Sequence, residues 1–166
     1  IYYDGVLSQV HKMVNAESAY IYGFNAKARV NLPYNLKFES VINYTEGEDE
    51  NGIPLRHVAP TFGQTTLSYR NKGLKASIYA KYNGEISNAE LTPSEQSKTH
   101  MYALNQNDEP YSPSWWTLNM KFSYRVNDYL TVDAGVENIM DVRYRPYSSG
   151  IAAPGRNWIF ALRANF

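Results

Sequence analysis

The sequence predicts an all-β fold, an antiparallel transmembrane β-barrel segment of about eight strands. Apolar and polar residues alternate with a period of two along most of the chain, as in strands with two unlike faces. The connections between these segments are alternately short and long, as in outer-membrane barrels. No apolar run approaches the roughly 18 residues of a membrane-spanning helix, so any membrane role must come from strands.

The composition fits this class and excludes several others. A mean hydropathy of −0.51 is expected when apolar and polar residues alternate along each strand. The 16 basic residues balance the 16 acidic residues, so net charge gives no argument for a nucleic-acid partner. The chain has no cysteine, which excludes thiol catalysis, cysteine-ligated zinc and disulfide bonds. No nucleophile elbow, phosphate loop or dinucleotide fingerprint is found, and we expect neither an enzyme nor a cofactor.

The clearest predicted strand is 116–126, where Trp116 and Phe122 fall on one face and Lys121 and Arg125 on the other. The segment 130–137 repeats the pattern after a hairpin turn. Alternation is weakest in the first segment, where neither face is decisively apolar. By this criterion the predicted strands are 1–10, 20–32, 36–44, 65–70, 74–82, 116–126, 130–137 and 158–166.

The lengths of the connections predict the orientation of the barrel. Outer-membrane barrels have short periplasmic turns and longer extracellular loops. The tight turns are 33–35, 71–73 and 127–129, and the longer connections are 11–18, 45–61, 84–114 and 139–156. The long connections are therefore predicted to lie outside the cell, and the last residue, Phe166, in the periplasm.

The same register predicts a basic lumen. Lumen-facing positions hold nine basic residues and three acidic ones, whereas the long connections hold eleven acidic residues and six basic ones. The lumen-facing charges are Lys27, Arg29, Lys37, Arg70, Lys75, Lys81, Lys121, Arg125 and Arg163 against Glu39, Asp133 and Glu137. A positive wall attracts anionic solutes, but ion pairing within the protein accounts for it equally, and both interpretations stay open.

Two motifs near the C-terminus carry a family resemblance. Residues 135–145 read GVENIMDVRYR, which closely resembles the penultimate-strand signature of TonB-dependent outer-membrane receptors, commonly written GVENLFDxxYR. Residues 153–157 read APGRN and are similar to the family's loop motif before the last strand, and the terminal Phe166 resembles its C-terminal assembly signal. We assign the signature positions to folding rather than ligand binding: Gly135, Glu137, Asn138, Asp141, Tyr144, Arg145, Pro154, Gly155 and Arg156.

The resemblance implies a 22-stranded barrel of the bacterial outer membrane that encloses an N-terminal plug. Residues 1–166 would be the C-terminal part of the barrel domain, with the plug domain and the preceding strands outside this chain. The implied function is active import of a scarce nutrient, such as an iron–siderophore, haem or cobalamin, with energy transmitted by TonB. The implied partners are the remaining barrel, the plug, the outer membrane, TonB through the plug region, and a ligand of unknown identity.

Two other classes of protein stay open. An autonomous eight-stranded outer-membrane barrel with a structural or small-channel role would close its first strand on its last. A soluble β-sandwich would instead bury the apolar rows in one core and fold without detergent.

Candidate ligand residues lie in or beside the long connections: His11, His57, His100 and Arg56. Histidine can ligate haem iron or a metal chelate, but the three histidines are isolated and none has a spaced partner. The acidic run 46–52 has some calcium-loop character without the twelve-residue spacing, so we predict no metal site.

Overall fold

The computed structural model describes residues 2–3, 5–7 and 18–166. In chain order the strands are β1 (Tyr2–Tyr3), β2 (Val6–Leu7), β3 (Ala19–Leu32), β4 (Leu36–Asp49), β5 (Phe62–Asn71), β6 (Leu74–Asn83), β7 (Ala103–Leu104), β8 (Pro110–Tyr111), β9 (Trp115–Arg125), β10 (Leu130–Glu137) and β11 (Asn157–Ala164). Seven of them form one antiparallel sheet in the order β11-β10-β9-β6-β5-β4-β3. The prediction of an all-β antiparallel fold is confirmed.

The described residues of the predicted first strand, 1–10, lie outside this sheet. They form β1 and β2, which pair with each other as a small hairpin. The weak alternation of the segment gives the physical reason, because a strand without a decisive apolar face has no strongly specified register. The other residues of the predicted strand lie outside the described residues.

The register of the seven strands aligns one apolar face across the sheet. Directly opposed residues of antiparallel strands share a face. Phe38 opposes Leu67, Leu67 opposes Ile78, and Ile78 in turn opposes Met120. Met120 then opposes Val136 of β10. We call the face that carries these residues the lipid face, and it follows the alternation predicted from the sequence.

The opposite face, here called the lumen face, is concave. One cavity of about 910 Å³ is lined by residues of all seven strands, from Asn31 of β3 to Ile159 of β11, so the sheet curves around it. Lys37, Arg70 and Lys75 are among the residues that line this cavity. Within the described part of the chain, β3 and β11 are edge strands that each pair on one side only. The seven-stranded sheet is therefore curved and open, and we call it the wall.

The two ends of the wall differ, as the connection lengths predict. The turns 33–35, 72–73 and 126–129 lie at one end, here called the turn end, and the long connections lie at the other, the loop end. At the loop end β4 continues past its predicted end at Tyr44 and pairs with β3 as far as Asp49. Gly47 permits close packing there, because a Cβ atom would lie 3.1 Å from the side chains of Ile21 and Val58.

Short elements order the connection of residues 84–114. It contains a 3-10 turn at Asn88–Glu90, a helix α1 (Pro93–Gln96) and the two-stranded sheet of β7 and β8. No helix in the described residues is long and apolar enough to cross a membrane. The largest fully buried side chains are Leu91 and Glu95 of this connection and Thr117 of β9. The best-buried part of the wall is therefore its loop end.

Candidate functional site

Three connections pack against one another at the loop end, and we call residues 50–61, 84–114 and 138–156 the loop cap. The Thr92 hydroxyl donates a hydrogen bond to the Pro54 carbonyl at 2.8 Å, which joins the second connection to the first. Arg145 of the third connection donates to the carbonyls of His100 and Met101, at 3.0 and 2.8 Å. Because side chains of one connection reach backbone atoms of another, the cap is a single packed unit.

Glu95 is the central charged group of the cap. Its side chain is 0% exposed, yet its carboxylate has three partners. Arg56 Nη2 lies 2.9 Å away and Lys98 Nζ 2.7 Å away, and the Tyr102 hydroxyl donates at 2.7 Å. A buried carboxylate is tolerated only when charges and hydrogen bonds compensate the loss of water. Glu95 therefore fixes residues 56, 98 and 102 relative to one another.

The protonation equilibria agree with this geometry. Burial by itself raises the pKa of Glu95, but the hydrogen bonds of Lys98 and Tyr102 and the nearby charges outweigh it and hold the pKa at about 2. Burial and the contact with Glu95 raise the pKa of Tyr102 in turn. Glu95 is thus ionised and Tyr102 is a neutral hydrogen-bond donor at neutral pH.

The signature segment orders the third connection and contacts β9 through the Asn138 amide, which donates to Asn119 Oδ1 at 2.9 Å. The Asn138 side chain, 4% exposed as a residue, donates to the Val142 carbonyl at 2.8 Å and accepts from the Val142 amide at 2.9 Å. Asn138 and Asp141 both have positive φ, 50° and 56°, a conformation that asparagine and aspartate tolerate better than most residues. The Asp141 carboxylate accepts from the Arg156 amide at 2.8 Å. The folding role assigned to these positions stays a prediction, and these contacts give it a physical basis.

Close packing accounts for three further signature positions, Gly135, Tyr144 and Gly155. A Cβ atom at Gly155 would lie 2.5 Å from the Asp141 carboxylate, so only glycine leaves room for this contact. The Tyr144 ring stacks on Trp115 of β9 with 4.1 Å between ring centroids. Gly135 opposes Lys121, and a Cβ there would lie 3.2 Å from the Met120 carbonyl oxygen, closer than an ordinary van der Waals contact.

The cap contains a cleft of ligand size. Its volume of about 450 Å³ falls in the range of small-molecule sites. Aromatic and cationic side chains of the second and third connections line it, among them Tyr102, Tyr111, Tyr144, Arg143 and Arg145. Glu95 positions the Tyr102 side chain, and two backbone carbonyls position Arg145. These two sides of the cleft are therefore fixed by contacts within the cap.

The ligand role of His57, His100 and Arg56 stays a prediction, and the structure places these residues in or beside the loop cap. His57 has a positive φ of 63°, and its Nδ1 lies 3.1 Å from the Ser148 hydroxyl. His100 is exposed, and its carbonyl accepts from Arg145. Arg56 contacts Glu95, although its side chain is still 48% exposed. His11 lies outside the described residues, and within them no three histidine, aspartate or glutamate residues are placed to hold a metal ion.

Sequence reasoning missed Glu95 and Lys98. The pattern Thr-x-x-Glu at 92–95 is a helix-start signal that could have located α1. Glu95 does not cap this helix; it binds Arg56 of another connection, and Lys98 and Tyr102 of its own. Burial of its carboxylate depends on contacts with residues as distant in sequence as Arg56. No local pattern reports such contacts.

On the lumen face, ion pairs between side chains of the wall neutralise part of the positive charge. Glu39 contacts Lys27, Arg29 and Lys37 at 3.3, 2.8 and 3.1 Å. Glu137 lies 3.8 Å from Lys121, and Asp133 lies 3.5 Å from Arg163. All three lumen-facing acids are therefore paired within the wall, and the face keeps an excess of positive charge.

A curved antiparallel wall with an apolar outer face, a basic concave face and a packed cap of loops defines a segment of an outer-membrane β-barrel receptor. The sequence of residues 1–139 matches the family described as TonB dependent receptor-like, beta-barrel. The chain belongs to this family, whose members are transporters of the bacterial outer membrane and not enzymes. The resemblance, the location and the absence of an enzymatic role are thereby confirmed. No curated protein matches the sequence.

Solved structures agree on the fold. The copper transporter OprC superposes with a TM-score of 0.73 at 19% identity, over 89% of this chain and 23% of that one. The ferric enterobactin receptor PfeA of Pseudomonas aeruginosa gives 0.67 at 16% identity, over 92% and 23%. The FrpB iron transporter of Neisseria meningitidis gives 0.66 at 14% identity, over 89% and 23%. The chain thus spans less than a quarter of the length of these three proteins.

Proposed function

We propose that this segment is the C-terminal part of the barrel of a receptor that imports a scarce nutrient, an iron–siderophore, haem or cobalamin. In this proposal the loop cap captures the ligand outside the cell, a plug in the lumen gates its passage, and TonB supplies energy through the plug region. The observation that carries the proposal is the cap itself. Its three connections are held together by a buried charged group, and it contains an aromatic and cationic cleft of about 450 Å³.

The alternative is an autonomous eight-stranded barrel with a structural or small-channel role. Such a barrel needs its first and last strands to pair, because closure is what removes the edges. In the described residues β3 and β11 remain edges and the N-terminal hairpin pairs with itself, which favours a larger barrel.

Growth under nutrient limitation tests the proposal. Cells that carry the complete receptor would be given ferric enterobactin, haemin or cyanocobalamin as the limiting source, with a copper salt as a fourth probe because one structural relative is a copper transporter. We expect growth on one of the first three sources and its loss when TonB is deleted. Growth on copper alone would replace the proposed substrates, and growth that does not need TonB would contradict the transport mechanism.

The histidines offer a separate prediction about haem. We expect His57→Ala, His100→Ala and His11→Ala each to leave haemin affinity within about twofold of the wild-type value, because isolated histidines seldom serve as ligands. The measurement is a haemin titration of the purified receptor followed by its absorption spectrum. Loss of the bound-haem spectrum in one variant alone would identify that histidine as an axial ligand and contradict the prediction.

A further inference from the structure

The lining of the cleft in the loop cap carries charge of one sign. Arg143 and Arg145 of the third connection line the cleft, and no aspartate or glutamate of the described residues does so. Within residues 18–166, neither arginine takes part in an ion pair. Arg145 donates to two backbone carbonyls, but these groups are neutral and leave its positive charge uncompensated. The cleft therefore presents two positive charges to an occupant.

The hydrogen-bonding groups of the cleft are also rich in donors. A guanidinium group has only N–H donors and no acceptor. The indole of Trp115 lines the cleft as well, and its Nε1 is buried with no hydrogen-bond partner among the described residues. A buried donor without a partner is costly, so an acceptor atom that reaches it is stabilising. An occupant with several oxygen acceptors, above all anionic ones, complements this lining.

Aromatic rings form much of the rest of the cleft. The rings of Trp115 and Tyr144 stack with 4.1 Å between their centroids, and Tyr102 is held by its bond to the Glu95 carboxylate. Ordered aromatic faces of this kind favour a flat ring system as occupant. The aromatic residues that line the cleft are Tyr102, Tyr111, Trp115, Trp116 and Tyr144, and no histidine of the described residues is among its lining.

We propose that this cleft binds an anionic aromatic ligand and that Arg143 determines its selectivity for the anion, an inference that rests on the proposed function. The chemistry that the lining recognises is an aromatic ring system with anionic oxygens. The catecholate arms of an iron chelate have this chemistry, and so does the carboxylate-bearing porphyrin of haem. Cobalamin and neutral hydroxamate chelates do not combine the two features.

The selectivity is assigned to Arg143 because this residue has no structural task in the cap. Its side chain is exposed, and within residues 18–166 it makes no hydrogen bond or ion pair. Arg145, by contrast, joins two connections through its bonds to the carbonyls of residues 100 and 101. In the pattern GVENLFDxxYR, position 143 falls on an unspecified residue, so the signature does not require arginine there. A free guanidinium can bind a pair of anionic oxygens through two parallel hydrogen bonds.

Calorimetric titration of the complete receptor in detergent tests this inference. The probes are ferric enterobactin and haemin, which are aromatic and anionic, and ferrichrome and cyanocobalamin, which carry no net negative charge. We expect the wild-type receptor to bind one of the first two more tightly than either of the others. Arg143→Gln should weaken that binding about tenfold at low salt, because a charge-assisted hydrogen bond is lost. The difference should shrink as salt rises, since Arg143 is exposed.

Two further variants separate a contact at the cleft from a general effect of charge. Arg143→Lys keeps the charge but loses the planar fork, so its affinity should be intermediate. Asn107→Asp changes the net charge of the cap by the same amount as Arg143→Gln, at an exposed position outside the cleft lining, and should bind as wild type. Heat-dependent migration in gels checks that each barrel has folded. Equal affinities of Arg143→Gln and Asn107→Asp would overturn the inference.

The remaining outcomes distinguish this inference from the proposed function. Tighter binding of ferrichrome or cyanocobalamin, with TonB-dependent growth on that compound, would overturn the inference and leave the proposed function standing. A receptor that binds neither anionic probe would overturn it as well. Growth that does not need TonB would contradict the proposed function, whereas anion-selective binding that depends on Arg143 would still support the assignment of the cleft.

Discussion

Replacing both cations that contact Glu95, as Arg56→Met with Lys98→Met, is expected to open the loop cap and cost about 3–5 kcal/mol of local stability. Glu95 is fully buried, so its carboxylate would lose two charged partners while staying away from water. Among the described residues, the Tyr102 hydroxyl would be its one remaining donor. Hydrogen–deuterium exchange of residues 84–114 in the detergent-solubilised receptor measures the effect.

Neutralising Glu95 in the Arg56→Met, Lys98→Met variant should restore the stability of the loop cap. Adding Glu95→Gln removes the charge that needs compensation, and the amide oxygen can still accept from Tyr102, so most of the protection should return. Arg143→Met serves as the control because Arg143 is an exposed cation of the same cap. If the triple variant exchanges as fast as the double variant, shape rather than charge holds the cap together.

The low pKa of Glu95 predicts that the loop cap loses stability in strong acid. The pKa of Glu95 in the folded protein, about 2, lies below its ordinary value of 4.5. The stabilisation from its ionised form is therefore fully present above pH 4.5 and is lost as the pH falls through about 2. In the Glu95→Gln variant this part of the acid sensitivity should disappear.

Asn138→Ala is expected to loosen the third connection of the cap, at a cost of about 2–3 kcal/mol. The substitution removes the side-chain bonds to the amide and carbonyl of Val142 and leaves both groups without their partner. It also places alanine at a φ of 50°, where asparagine is better tolerated. Exchange protection of residues 138–156 is the measurement.

Two further variants separate the contribution of the hydrogen bonds from that of the backbone conformation. Asn138→Gly removes the same hydrogen bonds but adopts positive φ freely, so it should cost about 1 kcal/mol less than alanine. Asn107→Ala removes an exposed asparagine of the same cap and should change nothing measurable. Equal exchange rates in Asn138→Ala and Asn107→Ala would mean that the signature asparagine has no folding role.

The lumen and lipid faces were predictable because strand alternation is a local property of the backbone. Lys121 and Phe122 point to opposite faces wherever their strand lies, so the sequence alone assigns them. β6 and β9 are successive strands of the main sheet, although the connection of 84–114 lies between them. Their pairing agrees with the general preference of successive strands to lie side by side. The faces of the first segment could not be assigned in this way because its alternation is weak, and its described residues form a separate hairpin.

The candidate site was less predictable. The sequence singled out three histidines as loop residues of interest, whereas the structure centres the cap on Glu95, which the sequence shows only as one of eleven acids in the long connections. Connections have no periodicity, so nothing in their sequence reports which residues become buried. Arg56 was singled out as a ligand candidate, and the structure shows its guanidinium beside Glu95, so its ligand role stays a prediction.

The sequence by itself determined the strand faces, the alternation of turns and loops, and the signature that identifies the family. Each depends on residues close together in the chain, where backbone geometry relates spacing to direction. Only the tertiary structure decided which connections meet, how Glu95 is compensated, and which lumen cations keep no acid. Those outcomes depend on distances between residues far apart in sequence, as between Arg56 and Glu95, and such distances arise only when the sheet curves and its loops pack together.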